Sequence, residues 1–242
     1  MSEDPARILV VGATGELGHL AVQELLRRGA RVALTGRNER SLVGLAARTG
    51  CPTHTLDAHD LDACAASGPW ARSVLGRLDG VLVTVGVAGF GHASAMPNAA
   101  AEQLMTVNAL GPMAVLRGAV PVVRDGGFLA AVTGSIVNAP IIGSADYAAS
   151  KSALACWLGV LAREVRARRV AVVDARFPHL DTGFASRTFV GSPPLLRQGA
   201  DPAPVVHALL DDLIGHLEGP ERRRGAGIRQ RADHAPPAPS PN

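Results

Sequence analysis

The chain has few of the residues that mark secreted, metal-binding or membrane-spanning proteins. Among its 242 residues are only three cysteines, Cys51, Cys64 and Cys156. Their odd number and scattered positions predict no metal site and favour a reduced, cytoplasmic compartment. No apolar run approaches the ~18 residues of a membrane span, and the charged start of the chain is unlike a signal peptide. We therefore expect no membrane partner.

Positive charge is concentrated at the C-terminal end. The net charge is +3, and residues 219–242 account for all of it, with five arginines against two acidic residues. A neutral body followed by a basic, proline-rich end predicts one domain over residues 1–218. Residues 219–242 are then expected to be a disordered tail, and no nucleic-acid partner is expected.

The rarest residues of the chain lie close together. Tyr147 is the only tyrosine and Lys151 the only lysine, four positions apart. A helix would place them on one face, where an ammonium favours the phenolate and lowers the pKa of Tyr147 toward neutrality. Ser135, twelve residues earlier, is expected to bind the substrate oxygen that Tyr147 protonates. The alternative is an ordinary amphipathic helix with a solvated lysine.

A serine followed about a dozen residues later by Tyr-x-x-x-Lys resembles the short-chain dehydrogenase/reductase superfamily, and the resemblance extends over about residues 7–218. It implies that Ser135, Tyr147 and Lys151 are catalytic and that Tyr147 and Lys151 also contact the cofactor. Asn108 matches the asparagine with which the family holds a water in a proton relay to the lysine. The alternative for Asn108 is a surface position.

A glycine-rich turn follows the first predicted strand, Ile8-Leu9-Val10-Val11. Glycines at such a turn let the backbone approach a pyrophosphate, whose charge suits the N-terminus of the next helix. The family pattern is T-G-x-x-x-G-x-G, whereas this chain has Val11 at the threonine position and a G-x-x-G-x-x-G spacing. The predicted cofactor contacts in this turn are Gly12, Thr14, Gly15, Glu16, Leu17 and Gly18.

Three positions at later strand ends predict the rest of the adenosine site. Arg37 stands where an NAD-specific protein carries an acid, which predicts a preference for NADP(H) over NAD(H). The alternative is a surface arginine before the next helix. Asp57 matches the family's contact to the adenine amine, or it caps the next helix. Gly86 is the one residue kept from the family's Asn-Asn-Ala-Gly. The part of the site under the adenine ribose is therefore expected to have lost polar groups.

The second half of the chain predicts a helix over about 99–123, strands over 127–133 and 170–175, and helices over about 147–168 and 201–217. Pro178 and Thr182 match family contacts to the nicotinamide carboxamide, and His179 replaces a glycine. Residues 183–203 resemble a mobile substrate loop. His92 and His179 are candidate substrate contacts, with an exposed loop histidine as the alternative at position 92. The family's seventh strand is not recognisable.

Alternating strands and helices after a phosphate-binding turn predict a Rossmann-type, doubly wound parallel sheet in the order 3-2-1-4-5-6, in three α/β/α layers. The resemblance implies an NADP(H)-dependent carbonyl reductase or alcohol dehydrogenase with a small-molecule substrate. It also implies a homodimer, with a tetramer as the alternative. Two other functions stay open, a dehydratase or isomerase on the same scaffold and a cofactor-binding regulatory protein without turnover.

Overall fold

A parallel sheet of six strands forms the centre of the computed structural model, which describes residues 4–219. The sheet has the order β3-β2-β1-β4-β5-β6, as predicted. Parallel neighbours require crossover connections, and helices supply them on both sides of the sheet. The strands are β1 (Arg7–Val11), β2 (Arg31–Gly36), β3 (Thr53–Thr55), β4 (Leu78–Val83), β5 (Val123–Val132) and β6 (Ala171–Ala175).

Within residues 4–219, seven α-helices cover the two faces of the sheet and complete the predicted three layers. They are α1 (Glu16–Arg27), α2 (Glu39–Thr49), α3 (Leu61–Leu75), α4 (Asn98–Met105), α5 (Gly111–Ala119), α6 (Ala145–Glu164) and α7 (Pro202–Glu218). Successive side chains of a strand point to opposite faces. In β1, Leu9 and Val11 therefore pack with α3, α5 and α6, whereas Ile8 and Val10 pack with α1, α2 and α7.

The predicted helix over residues 99–123 is present as one unbroken helical run, which extends from Asn98 to Ala119 and contains a π-helical turn. The chain forms α4, then a π-helical turn over Thr106–Leu110, then α5, which ends at Ala119. Pro112 gives a reason for the π-helical turn, since it has no N–H to donate to the carbonyl of Asn108 four residues earlier. Gly111 also packs tightly on the preceding crossover, where a Cβ would lie 2.8 Å from the Ala58 carbonyl oxygen.

The C-terminal end of the described part of the chain is α7, which Asp201 caps by accepting a hydrogen bond from the Ala203 N–H at 3.0 Å. Within residues 4–219 no seventh strand joins the sheet. The predicted tail over residues 219–242 lies almost entirely outside the described residues. No helix in the described part of the chain is long and apolar enough to cross a membrane.

Candidate active site

One cavity of about 690 Å³ opens where the strands end at their carboxyl edge. Such an edge is where ligands bind in open α/β sheets. All the predicted site residues except Asn108 line it, namely Gly12, Thr14, Gly15, Glu16, Leu17, Gly18, Arg37, Asp57, Gly86, Ser135, Tyr147, Lys151, Pro178 and Thr182. His179 lines the cavity as well, and His92 is an exposed residue outside it. Residues that are remote in sequence thus form one site.

The turn between β1 and α1 is built so that only glycine fits at its contact points. Gly12 has a φ of +90°, and its N–H donates to the Thr35 carbonyl at 3.0 Å. A Cβ on Gly18 would lie 2.2 Å from the Gly12 carbonyl oxygen, so the helix packs directly on the turn. Gly15 caps α1 without a side-chain hydrogen bond, which leaves the first-turn N–H groups free to face an anion. This end of the cavity fits a pyrophosphate.

Thr84, just after β4, supplies a hydroxyl group in the segment where the sequence predicted a loss of polar groups. The Thr84 hydroxyl donates to the Val11 carbonyl at 3.0 Å, and the Thr84 backbone N–H donates to the same oxygen at 2.9 Å. The polar group is therefore used within the protein, where it ties β4 to the glycine turn. Thr84 thus stabilises the glycine turn through its two hydrogen bonds to Val11.

The far end of the cavity carries two opposite charges. Arg37 is exposed, lies just before the α2 cap Asn38, and forms no ion pair among residues 4–219. Asp57 accepts from the His59 N–H at 3.0 Å and from its Nδ1 at 2.8 Å, and these bonds hold the pKa of Asp57 below its ordinary value. Asp60 caps α3 instead, so the alternative capping role of Asp57 is wrong.

Helix α6 brings Tyr147 and Lys151 to the centre of the cavity. Lys151 is only 4% exposed, and its Nζ donates to the Val132 carbonyl at 3.1 Å. Burial lowers the pKa of Lys151 from 10.5 to about 8, although the negative charge of Asp174 acts in the opposite direction. The ammonium is therefore held against the end of β5 by a single backbone hydrogen bond.

The pKa of Tyr147 departs from the sequence-based expectation. Burial raises it to about 12, opposite to the lowering predicted from Lys151 alone. The ring lies between two phenylalanines, with centroid distances of 5.9 Å to Phe90 and 6.4 Å to Phe184. In these apolar surroundings the phenolate loses its hydration, which favours the protonated phenol. The phenol holds its proton at neutral pH.

Ser135 reaches the cavity from a short 3₁₀ turn after β5. Gly134, with a φ of +91°, turns the chain, and the Ser135 N–H donates to the Phe177 carbonyl at 2.8 Å. The side chain is exposed on the cavity wall, and its hydroxyl bonds no other residue within the described range. It is available to a ligand.

Asn108 lies behind the cavity and is fully buried. Its Oδ1 accepts from the Val87 N–H at 2.8 Å, and its Nδ2 donates to the Val87 carbonyl and to the Ser150 hydroxyl, both at 3.0 Å. These bonds fix the loop after β4 against α6, and the surface alternative is wrong. A Cβ on Gly86 would lie 2.9 Å from the Lys151 Nζ, so glycine leaves room for the lysine.

A loop over residues 181–199, called the lid below, covers the catalytic end. Its two ends meet, because Leu180 and Ala200 form a β-bridge and the Ala200 N–H donates to the His179 carbonyl at 2.9 Å. Its middle is tied to the loop after β4, where the Phe90 N–H donates to the Val190 carbonyl at 3.1 Å. The lid thus forms one wall of the cavity.

Sequence reasoning did not identify Phe90, Phe184 or Pro112 as site residues. The chain has only five phenylalanines, and two of them flank its single tyrosine. The low number of aromatic residues in the composition could have indicated that the phenylalanines near Tyr147 belong to the site. Pro112 lies four residues after Asn108, and a proline at that spacing cannot donate a helical hydrogen bond to the Asn108 carbonyl.

Known proteins resemble this chain over most of its length. The family described as short chain dehydrogenase matches residues 6–189. An uncharacterized oxidoreductase of Mycobacterium tuberculosis is 30% identical over 84% of this chain and 82% of its own length. A 2-(S)-hydroxypropyl-CoM dehydrogenase of Xanthobacter autotrophicus is 30% identical over 94% of this chain and 90% of its own.

Solved structures show the same fold. The protein BdcA, solved in complex with NADPH, has a TM-score of 0.73 and 25% identity, with 89% of this chain and 88% of BdcA covered. The family match spans both the glycine turn and the Ser135, Tyr147 and Lys151 positions. The chain therefore belongs to the short-chain dehydrogenase/reductase family and is an NAD(P)-dependent oxidoreductase.

Proposed function

We propose that the protein is an NADP(H)-dependent oxidoreductase that interconverts a carbonyl and an alcohol on a small organic substrate. One observation carries the proposal: Ser135, Tyr147 and Lys151 line the same cavity as the uncapped start of α1. A proton donor and an anion-binding helix end thus share one space. The relative named as a hydroxypropyl-CoM dehydrogenase supports alcohol and carbonyl chemistry.

Residues along the length of the cavity are assigned to the successive parts of the cofactor. The glycine turn and the first-turn N–H groups of α1 hold the pyrophosphate, because the cap residue Gly15 leaves these N–H groups without a side-chain acceptor. Arg37 pairs with the 2′-phosphate, and Asp57 accepts from the adenine amine. Pro178 and Thr182, which line the same cavity as Lys151, are assigned to the nicotinamide end. The NADPH complex of BdcA supports this choice of cofactor.

The nicotinamide cofactor, when bound, supplies the hydride, and the residues of the chain move the proton. Tyr147 donates its phenolic proton to the carbonyl oxygen in reduction and accepts a proton in oxidation. The Ser135 hydroxyl orients that oxygen. Lys151 holds the cofactor ribose and stabilises the phenolate once the proton has left.

The path of the replacement proton runs past Asn108. Pro112 offers the Asn108 carbonyl no N–H, so this oxygen keeps a lone pair for a water. The adjacent side chain of Asn108 is locked by Val87 and Ser150 and holds the turn in place. A water at this carbonyl connects Lys151 with solvent.

A homodimer fits the surface of the helical layer. Leu110 is 43% exposed and Val160 on α6 is 47% exposed. Large apolar side chains at the surface of two neighbouring elements are typical of a subunit contact.

A fluorescence titration with NADPH and, separately, NADH tests the proposal. We expect micromolar NADPH binding and much weaker NADH binding. Arg37→Ala should raise the Kd for NADPH by ~10- to 100-fold, the loss of one charge-assisted contact, with no change for NADH. Arg40→Ala is the matched control, since Arg40 is also exposed but does not line the cavity.

The outcomes separate the alternatives. Equal binding of the two cofactors would refute the NADP(H) preference and keep the oxidoreductase. Binding of neither would refute the oxidoreductase assignment as well. Turnover of a substrate without net NADPH consumption would instead mark a dehydratase or isomerase.

A further inference from the structure

The wall of the cavity that faces Tyr147 is apolar. It is formed by side chains from the loop after β4, the segment between β5 and α6, and the lid, namely Phe90, Ile136, Ile141, Phe184 and Leu196, of which Phe90 and Phe184 contact the Tyr147 ring. Of the charged lining residues, Glu16, Arg37 and Asp57 belong to the start of α1 and the ends of β2 and β3, at the opposite end, whereas Lys151 follows Tyr147 on α6 and Arg187 is on the lid. On the lid, the guanidinium of Arg187 folds back to within 3.0 Å of the position of a Cβ on Gly183. The space beside Tyr147 therefore suits hydrocarbon.

Large apolar side chains continue this wall onto the surface. Ile142 is 86% exposed and Leu195 is fully exposed, and each is the chain neighbour of a residue that lines the cavity. Phe189 on the lid is 38% exposed. Exposed aliphatic side chains of this size at the mouth of a cavity mark a binding surface. We call Ile142, Phe189 and Leu195 the rim.

The backbone holds the rim and the cavity wall together. The Gly91 N–H donates to the Gly143 carbonyl at 2.8 Å, which ties the Ile141–Gly143 segment to the loop after β4. The Phe90 N–H donates to the Val190 carbonyl on the other side of that loop. A Cβ on Gly191 would lie 1.8 Å from the Phe90 carbonyl oxygen, so this contact is close-packed. The two apolar segments thus flank one entrance.

We infer that the substrate is a carbonyl compound or alcohol with an extended hydrocarbon body that passes from Tyr147 along the apolar wall and out over the rim. This inference rests on the proposed function and specifies its substrate class. Burial of each methylene against such a wall favours a longer substrate over a shorter one, while the reacting carbonyl stays the same.

A series of 2-alkanones from 2-butanone to 2-octanone tests the inference with NADPH as reductant. Each added methylene should raise kcat/KM by up to about fourfold, so 2-octanone should exceed 2-butanone by on the order of a hundredfold. An Ile142→Ser, Leu195→Ser double variant should lower that ratio by roughly tenfold. Val74→Ser is the matched control, because Val74 is also an exposed apolar residue, at 40%, but lies on the last turn of α3, away from the cavity.

Calorimetric titration of the same ketones into the protein saturated with NADP⁺ measures affinity without turnover. Affinity that rises with chain length and falls in the double variant would support the inference, even if no ketone were reduced. The absence of reduction would refute the proposed reductase activity and leave the inferred hydrocarbon-binding site in place. Reduction at a rate independent of chain length, or a ratio unaltered in the double variant, would overturn the inference and keep the reductase. A preference for 7-oxooctanoate, whose chain ends in a carboxylate, over 2-octanone would assign the lid side to an anion at Arg187 and overturn it too.

Discussion

Replacing Lys151 with methionine should make the cofactor-free protein more stable at neutral pH while removing its activity. Burial lowers the pKa of Lys151 from 10.5 to about 8, so the unfolded chain binds this proton more tightly than the folded protein does. Stability contributed by the lysine is therefore complete above pH 10.5 and is lost as the pH falls to about 8. Below that pH the folded protein carries the full penalty of a buried ammonium.

The size of the effect follows from the two pKa values. A fall from 10.5 to about 8 corresponds to about 3 kcal/mol, at about 1.4 kcal/mol for each factor of ten. Methionine has a similar length but cannot donate to the Val132 carbonyl, and loss of that hydrogen bond costs about 1 kcal/mol. We expect Lys151→Met to raise the free energy of unfolding by about 2 kcal/mol at pH 7. The gain should disappear by about pH 10.5.

Urea unfolding followed by circular dichroism, at one protein concentration between pH 7 and pH 10.5, measures this difference. Burial also raises the pKa of Tyr147 to about 12 and of Cys64 to about 11, so both lower the stability of the parent protein at high pH. The same groups titrate in the variant, and the difference between the two proteins isolates Lys151. Leu154→Met, at another buried position of α6, controls for the new methionine. A variant less stable than the parent at pH 7, or a difference that does not change with pH, would refute the reasoning.

Two further predictions concern the proton donor and the glycine turn. Tyr147→Phe removes only the hydroxyl, so turnover should fall by ~10²- to 10⁴-fold while NADPH binds as in the parent protein; turnover at the parent rate would exclude Tyr147 as the proton donor. Gly18→Ala places a Cβ 2.2 Å from the Gly12 carbonyl oxygen, and the displaced turn should weaken NADPH binding by at least ~10-fold. Gly215→Ala in α7, where a Cβ meets nothing within 4 Å, should bind NADPH normally, and equal affinity of the two variants would contradict the close-packing argument.

The sequence predicted the sheet because its elements alternate regularly, and the rules of crossover connections leave few other arrangements. It also predicted which residues share the cavity, since strand ends and the Tyr147–Lys151 spacing are local features. The long helix that contains Asn108 was predicted as well, but its π-helical geometry at Asn108 and its end at Ala119 were not, because a pattern of apolar positions does not reveal the effects of Gly111 and Pro112.

The direction of the Tyr147 pKa was beyond the sequence for a different reason. It depends on how deeply the ring is buried, and Phe90 and Phe184 reach it from two loops that are far apart in the chain. Similarly, Thr84 reads as the loss of a polar floor, yet its hydroxyl supports the glycine turn. Contacts between loops that are far apart in the chain depend on the three-dimensional fold, and the spacing of residues along the sequence does not predict them.

The closed base of the lid has a consequence for how this protein can diversify. Because Leu180 and Ala200 are already paired, the segment between them begins and ends at one point of the scaffold. Gly199 fits that junction, where a Cβ would lie 2.4 Å from the Asp181 nitrogen. Doubling the length of such a segment costs only about 0.6 kcal/mol in closure entropy. New lids can therefore be exchanged at this junction, by evolution or by design, while the sheet, the glycine turn and the proton donor stay as they are.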